Sequence, residues 1–204
     1  MILQTFLVAF IISYLGSIPP GMANVSVMQM AINKHRRAAI FFAISATAVE
    51  FVYAGLTVKF QIFLHESTQL EGYFHLITGI ALIIVGYLNL RSRSKSENVK
   101  SREFVRGREG FQKGIILGLV NPMTIPFWLV VTSYLRNHDL VILKGTAYWM
   151  YLGGLSAGTF VLLLTVLWLG GKFARISDNQ LLVHKVPGLL LIGLGIYTLV
   201  MWLI

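Results

Sequence analysis

The sequences GSIPPGMAN at Gly16 to Asn24 and GLVNPMTIPFW at Gly118 to Trp128 decide the fold of this chain. Both stretches lie inside long apolar segments, and together they hold four of the five prolines. Proline removes a backbone donor and clashes with the preceding helical turn, so each stretch interrupts its helix. Pro20 and Pro122 are 102 residues apart in a chain of 204, so each half carries one broken segment near its start. In lipid, such a break is tolerated only where it is buried in protein or lines a wet cavity.

The composition predicts a membrane protein. Hydrophobic residues make up 56% of the chain and charged residues 12%, about half of the roughly 25% charged residues of a soluble domain. The length of 204 residues accommodates about six spans of roughly 20 residues. We therefore expect an all-α integral membrane protein whose surroundings are the lipid bilayer. We expect no nucleic-acid partner, because short basic loops that set topology explain the net charge of +9. The absence of cysteine excludes thiol redox carriers.

Six apolar segments can be read along the chain. The first would be about 46 Å long as one helix, against a hydrocarbon core of about 30 Å, so a break at Pro19, Pro20 and Gly21 resolves the excess. The chain then divides into a first three-helix repeat over 1–90, a basic cytoplasmic linker over 91–110, and a second three-helix repeat over 111–204. The expected spans cover residues 2–32, 38–58, 72–90, 111–135, 145–170 and 187–204.

The basic residues orient the expected bundle. Of the 17 Lys and Arg residues, fourteen lie in the first, third and fifth loops, which predicts that these loops are cytoplasmic. Both termini then face outside, and the two halves enter the membrane in opposite directions. Secondary transporters commonly have such inverted repeats, with the substrate between broken helices near the bilayer midplane. We therefore predict six transmembrane helices in two inverted three-helix repeats, with the first and fourth helices broken.

The two breaks are the predicted substrate site. Each restarted helix exposes unpaired N–H groups and the positive end of its dipole, which favour an anionic group such as a carboxylate. Asn121 and Pro122 are typical of an N-cap and a first helical residue, and Gly21 offers a similar restart. The alternative is that the prolines only kink the helices for packing. The residues predicted to bind substrate are Pro20, Gly21, Asn24, Ser26, Gln29, Asn121, Pro122 and Thr124.

Glu50 is the only charged residue near the middle of an expected span. A charged side chain at the bilayer centre costs about 2.5–3.5 kcal/mol on insertion scales. An ionised carboxylate there must find a partner or take up a proton, which makes Glu50 the predicted proton-coupling residue. The alternative is a protonated structural residue. Small and polar residues share its side of the helix, which predicts that Glu50 faces the bundle interior: Ala43, Ala46, Thr47, Tyr53, Ala54 and Thr57.

At these residues the chain resembles the LysE superfamily of small exporters, the LysE/RhtB-type amino-acid translocators. Members of that family have a Pro-Gly-Pro break in the first span, an acidic residue in the second, and Asn-Pro-Lys in the fourth. The corresponding residues here are Pro20-Gly21-Met22, Glu50 and Asn121-Pro122-Met123. Met22 and Met123 replace a proline and a lysine. The loss of the lysine removes a candidate charge partner for Glu50 or for the substrate.

The resemblance implies a secondary transporter in the bacterial inner membrane that exports an amino acid or similar small zwitterion, and Glu50 indicates proton coupling. We expect no enzymatic activity, cofactor or metal site. One alternative is a divalent-cation exporter of the same superfamily, which would need convergent oxygen or imidazole ligands. A weaker alternative is an intramembrane enzyme, which would need a nucleophile and base at membrane depth. Substrate identity, transport direction and oligomeric state, including a homo-oligomer, stay open.

Overall fold

The computed structural model describes residues 1–18, 21–65, 68–91, 106–121, 124–170, 172 and 185–203. Within these residues the chain is helical, and no strand occurs among them, as the composition predicted. Pro20, Pro122 and most of the predicted 91–110 linker lie outside the described residues. The helices are α1 (Ile2–Gly16), α2 (Met22–Ile32), α3 (Arg36–His65), α4 (Thr68–Arg91), α5 (Gly107–Val120), α6 (Thr124–Asn137), α7 (Gly145–Leu169) and α8 (Val186–Leu203).

Both predicted helix breaks are observed. Helix α1 ends at Gly16, and α2 begins at Met22 after Gly21, whose extended backbone (φ −86°, ψ 179°) is that of an N-cap. Helix α5 ends before Asn121, which leaves the helical region (φ −72°, ψ 100°), and α6 is described from Thr124. The four helices at the breaks contain only 11 to 15 residues each. Each is too short to cross a bilayer alone, whereas the two pairs are long enough.

Two described helices are long and apolar enough to cross a membrane by themselves, over Arg36–Phe63 in α3 and Gly145–Leu169 in α7. Helix α3 is longer than expected, because the predicted loop that begins at Lys59 is helical as far as His65, and α4 already begins at Thr68. That loop contains no Gly or Pro, and its Lys, Gln and Leu residues are good helix formers.

Helix α5 also starts earlier than the first span expected in the second repeat. Helix α5 begins at Gly107, inside the stretch expected to be linker, rather than at residue 111. Glu109 lies in its first turn, where a negative charge is stabilised by the N-terminal end of the helix dipole. A helix can therefore start among charged residues before the apolar segment begins.

Helices α1 and α7 pack closely and in parallel. Gly154 faces the backbone carbonyl of Phe6, and Gly158 faces that of Phe10. A Cβ atom added at Gly154 would lie 2.5 Å from that carbonyl oxygen, so only glycine permits this approach. The two glycines are the small-xxx-small face that their spacing predicts.

Helices α5 and α3 form a second parallel pair with the same construction. Gly110 lies against the carbonyl of Ala38, and Gly114 lies against that of Phe42. A Cβ atom at Gly114 would lie 2.5 Å from the Phe42 oxygen. Here the broken helix supplies the glycines, whereas in the first pair the unbroken α7 supplies them.

Helices α4 and α8 form a third pair, which is antiparallel. A Cβ atom at Gly79 would lie 3.1 Å from the carbonyl oxygen of Gly195, and one at Gly86 would lie 2.7 Å from that of Gly188. Gly79 and Gly86, which are seven residues apart in α4, therefore lie on one close-packed face.

Exchanging the two halves of the chain reproduces the same three helix pairings. If α1 to α4 are matched in order with α5 to α8, the pair α1 with α7 becomes α5 with α3, and the pair α4 with α8 maps onto itself. Two parallel pairs and one antiparallel pair are also the relative directions that six alternating spans would require.

Two apolar clusters fill the bundle around α3 and α7. One joins the first half of α3 to the second half of α7 and to α2, and includes Val27, Phe42 and Leu163. The other joins the second half of α3 to the first half of α7 and to α6, and includes Val58 and Tyr151. Glu50 lies in the sequence of α3 between the two clusters, which places a polar layer between them.

Candidate functional site

Glu50 lies at the middle of α3 and hydrogen-bonds to residues of two other helices. The indole Nε1 of Trp128, in α6, donates to Glu50 Oε1 at 3.2 Å. The hydroxyl group of Thr159, in α7, is a second hydrogen-bond partner of this carboxyl. The carboxyl is therefore held between the second break and the unbroken helix of the same half.

The predicted orientation of Glu50 is confirmed. Five of the six small and polar residues assigned to its side of α3 are buried, among them Ala54 and Thr57, which are 1% and 2% exposed, and Tyr53 is half-buried. Ile44 and Val52 lie on other sides of α3 and are 44% and 56% exposed. Helical periodicity was enough to find this face because a side chain at every third or fourth position points the same way.

Thr159 connects Glu50 to the first break. Its Oγ1 lies 2.8 Å from Ser13 Oγ and 3.2 Å from Ser17 Oγ, within hydrogen-bond distance of both. Ser13 Oγ also donates to the carbonyl of Leu155 at 2.6 Å. These bonds fix the C-terminal end of α1 against the middle of α7, at the level of Glu50.

Asn24 belongs to the same network, as its position after the first break suggested. Its Nδ2 donates to the carbonyl oxygen of Ser17 at 2.7 Å, and the side chain is only 5% exposed. That carbonyl lies just beyond the end of α1, so a side chain replaces the helical donor that the break removed. We call Glu50, Trp128, Thr159, Ser13, Ser17 and Asn24 the central network.

Residues that flank the two breaks are in contact. The ring of Phe127, in the first turn of α6, lies against Gly16, where an added Cβ atom would be 2.9 Å from Phe127 Cζ. Phe127 also stacks edge to face on Trp128, with ring centroids 5.0 Å apart. Thus the end of α1 and the start of α6 meet beside Glu50, although Pro20 and Pro122 themselves lie outside the described residues.

The other predicted binding residues lie around this network without joining its described hydrogen bonds. Gly21 is the exposed N-cap of α2. Ser26 is buried in α2, and Gln29 is half-buried one turn further on. Asn121 is exposed at the end of α5, and its carbonyl accepts a hydrogen bond of 3.5 Å from the backbone N–H of Thr124.

The sequence analysis missed four members of the central network: Ser13, Ser17, Trp128 and Thr159. Ser17 and Trp128 stand inside the two stretches that decide the fold, and Ser13 precedes Ser17 by one helical turn. A search for polar residues on one face across the first break would have found both serines. Thr159 offers no such signal, because its partners are distant in the sequence.

The chemistry of the central network is that of one carboxyl group among neutral donors. The indole N–H and the Thr159 hydroxyl can stabilise an ionised carboxylate, and the hydroxyl can also accept from a protonated one. Among the described residues, no group of three or more His, Asp or Glu side chains could hold a metal ion. The arrangement suits proton exchange or the binding of a cationic group such as an ammonium.

A bundle of apolar helices with two breaks that meet at an internal polar network defines a multi-pass membrane transporter. The chain belongs to the LysE type translocator family, whose model matches residues 14–201. The family confirms the resemblance found in the sequence. It makes the protein a transporter of the kind that exports amino acids or similar substances. No curated protein and no solved structure matches the chain.

Proposed function

We propose that this protein exports an amino acid or a similar small zwitterion in exchange for protons, across the bacterial inner membrane. The observation that carries this proposal is the position of Glu50, whose carboxyl bonds to Trp128 after the second break and, through Thr159, reaches Ser17 at the first break. A protonation change at Glu50 acts directly on both broken helices.

The transport cycle we propose uses two inverted repeats of three spans each. The exchange of helix pairs between the halves, and the parallel and antiparallel directions of those pairs, support this architecture. The basic loops support cytoplasmic odd loops with both termini outside. Alternating access then consists of one half rocking against the other around the central network.

Substrate recognition in this proposal combines the two breaks with Glu50. The N-terminus of α2, with Gly21 as its cap and Asn24 in its first turn, offers N–H groups and a positive dipole end to the substrate carboxylate. The restart after Asn121 offers the same chemistry at α6. An ionised Glu50 attracts the substrate ammonium, so a proton and the ammonium compete for one carboxylate. This competition couples the two movements in opposite directions.

The test is transport by the purified protein in vesicles with an imposed pH gradient. Radiolabelled amino acids are screened first, and the active compound is then used with Glu50→Gln, which keeps the shape of the protonated form. We expect Glu50→Gln to abolish uphill transport driven by the gradient, at least a hundredfold below wild type, while exchange of substrate down its own gradient survives.

The matched control is Glu109→Gln, which neutralises a carboxylate in the first turn of α5, outside the central network. It should transport at close to the wild-type rate. Uphill transport by Glu50→Gln with unchanged pH dependence would show that Glu50 is a structural residue and that protons enter elsewhere.

A further inference from the structure

Two polar atoms on α3, beyond Glu50 toward the C-terminal end, are buried without a hydrogen-bond partner. They are Thr57 Oγ1 and Gln61 Oε1. Their side chains are only 2% and 7% exposed. Buried polar groups in folded proteins are almost always hydrogen-bonded, and ordered water commonly supplies the missing partner.

These two residues continue the face of α3 that carries Glu50. Thr57 and Gln61 follow Glu50 by seven and eleven residues, which places them about 10 and about 16 Å further along the axis on the same side. Ala54 occupies the position between Glu50 and Thr57 and is buried. Its methyl group leaves more room on this face than a larger side chain would.

The same face points toward α6, whose Trp128 donates a hydrogen bond to Glu50. Gln61 Nε2 donates to the backbone carbonyl of Leu129, the residue after Trp128. The amide of Gln61 is thereby fixed, with its Oε1 left to accept from another donor. The unpartnered atoms and the indole that binds Glu50 thus lie along one junction between α3 and α6.

From this juxtaposition we propose a column of bound water along the α3–α6 junction. Thr57 Oγ1 and Gln61 Oε1 hold the water, and it relays protons between Glu50 and the end of α3 at His65. The proposal rests on the proposed proton-coupling role of Glu50. Water and a hydroxyl group can each donate one proton and accept another, so the relay moves a proton without net change at Thr57.

The surroundings of Glu50 contain few competing titratable groups among the described side chains. Helix α2 has no titratable residue, and Tyr73 and Tyr87 of α4 are 67% and 55% exposed. Lys113 of α5 stands next to Gly114, which packs at Phe42, two turns before Glu50. Three tyrosines of α3 and α7 use their hydroxyl groups in hydrogen bonds. Tyr53 bonds to Leu119, Tyr148 to Gly55 and Tyr151 to Thr132.

The experiment measures how fast Glu50 takes up a proton. Trp128 is kept as the only tryptophan by Trp149→Phe, Trp168→Phe and Trp202→Phe, and its emission reports the carboxyl that accepts its N–H. Vesicles containing the protein in both orientations receive an external acid jump. We expect two phases in the wild-type response, because protons enter the two orientations from opposite ends of the path. The infrared band of the protonated carboxyl, absent in Glu50→Gln, gives a second readout.

We expect Thr57→Val to slow one phase at least tenfold, with an unchanged pH midpoint and an unchanged second phase. Gln61→Met should slow the same phase, and Thr57→Ser should restore it because the hydroxyl returns. The matched control is Thr198→Val, since Thr198 is also buried but its hydroxyl already donates to Leu194. Proton uptake through a relay should also be slower in heavy water than in ordinary water. Thr57→Val should abolish this isotope effect.

Unchanged kinetics in Thr57→Val overturn the relay while leaving the role of Glu50 intact. A slow phase in Thr57→Ser as large as in Thr57→Val also overturns it, since packing rather than the hydroxyl is then responsible. A phase that requires sodium ions assigns the two oxygen atoms to a cation instead. If neither readout of the wild type responds to acid, Glu50 does not exchange protons, and the proposed coupling fails together with the relay.

Discussion

The two helix breaks are stabilised in the same way but by different side chains. At each break a backbone carbonyl loses its helical donor, and a side chain takes over. Asn24 donates to the Ser17 carbonyl at the first break, from seven residues further along the same segment. At the second break the donor to the Leu119 carbonyl is the hydroxyl of Tyr53, which comes from α3 in the other half of the chain.

The side chains that face the centre also differ between the breaks. The first break contributes hydroxyl and amide groups, at Ser13, Ser17 and Asn24, and the second contributes the aromatic rings of Phe127 and Trp128. Glu50 bonds directly to Trp128 and reaches the two serines only through Thr159. This difference teaches that matched backbone breaks can carry unlike chemistry: the first break supplies polar groups, and the second supplies two aromatic rings with a single indole donor.

The largest expected effect comes from the glycines that position the broken helices. Gly114→Ala and Gly158→Ala should each lower the free energy of unfolding by about 3 kcal/mol, because the new methyl group meets backbone atoms that cannot move aside. Thermal unfolding in detergent measures this loss. Gly153→Ala is the control, since its Cβ atom would lie 4.0 Å from Phe6. An effect at only one of the two glycines would contradict the equivalent packing of the two halves.

A smaller effect is expected where the freed carbonyls are paired. Asn24→Leu should cost about 2 kcal/mol of stability, because the Ser17 carbonyl loses its donor at a partly buried site. Tyr53→Phe should cost about 1 kcal/mol or less, because its bond to Leu119 is exposed. The melting temperatures of the two variants, measured in the same detergent, give this comparison. Equal losses would mean that the end of α5 has no access to water when Tyr53 is removed.

The smallest expected effect is a shift in the pH dependence of transport. Trp128→Phe removes the indole donor that stabilises the ionised form of Glu50. Glu50 should then keep its proton to higher pH, and the midpoint of transport against pH should move about one unit toward alkaline. Trp168→Phe, at a site 84% exposed, is the control. A midpoint shift toward acid would show that the indole does not act through the carboxylate.

Local rules were sufficient for much of the site. Proline cannot continue a helix, so the breaks could be placed before the structure was known. The side of α3 that carries Glu50 also followed from periodicity alone. The helix limits were less accurate at Lys59 and Gly107, because polar residues that form helices well do not signal where a helix stops.

What the sequence by itself determined is the set of constraints that act within one segment. These are the two breaks, the membrane environment, and a lone Glu50 that must face inward because lipid does not solvate charge. Only the tertiary structure decided which groups meet that carboxyl. Trp128 is 78 residues from Glu50, and Thr159 is 142 residues from Ser17. No periodicity within one helix predicts such partners, because packing between helices alone brings them to the same depth.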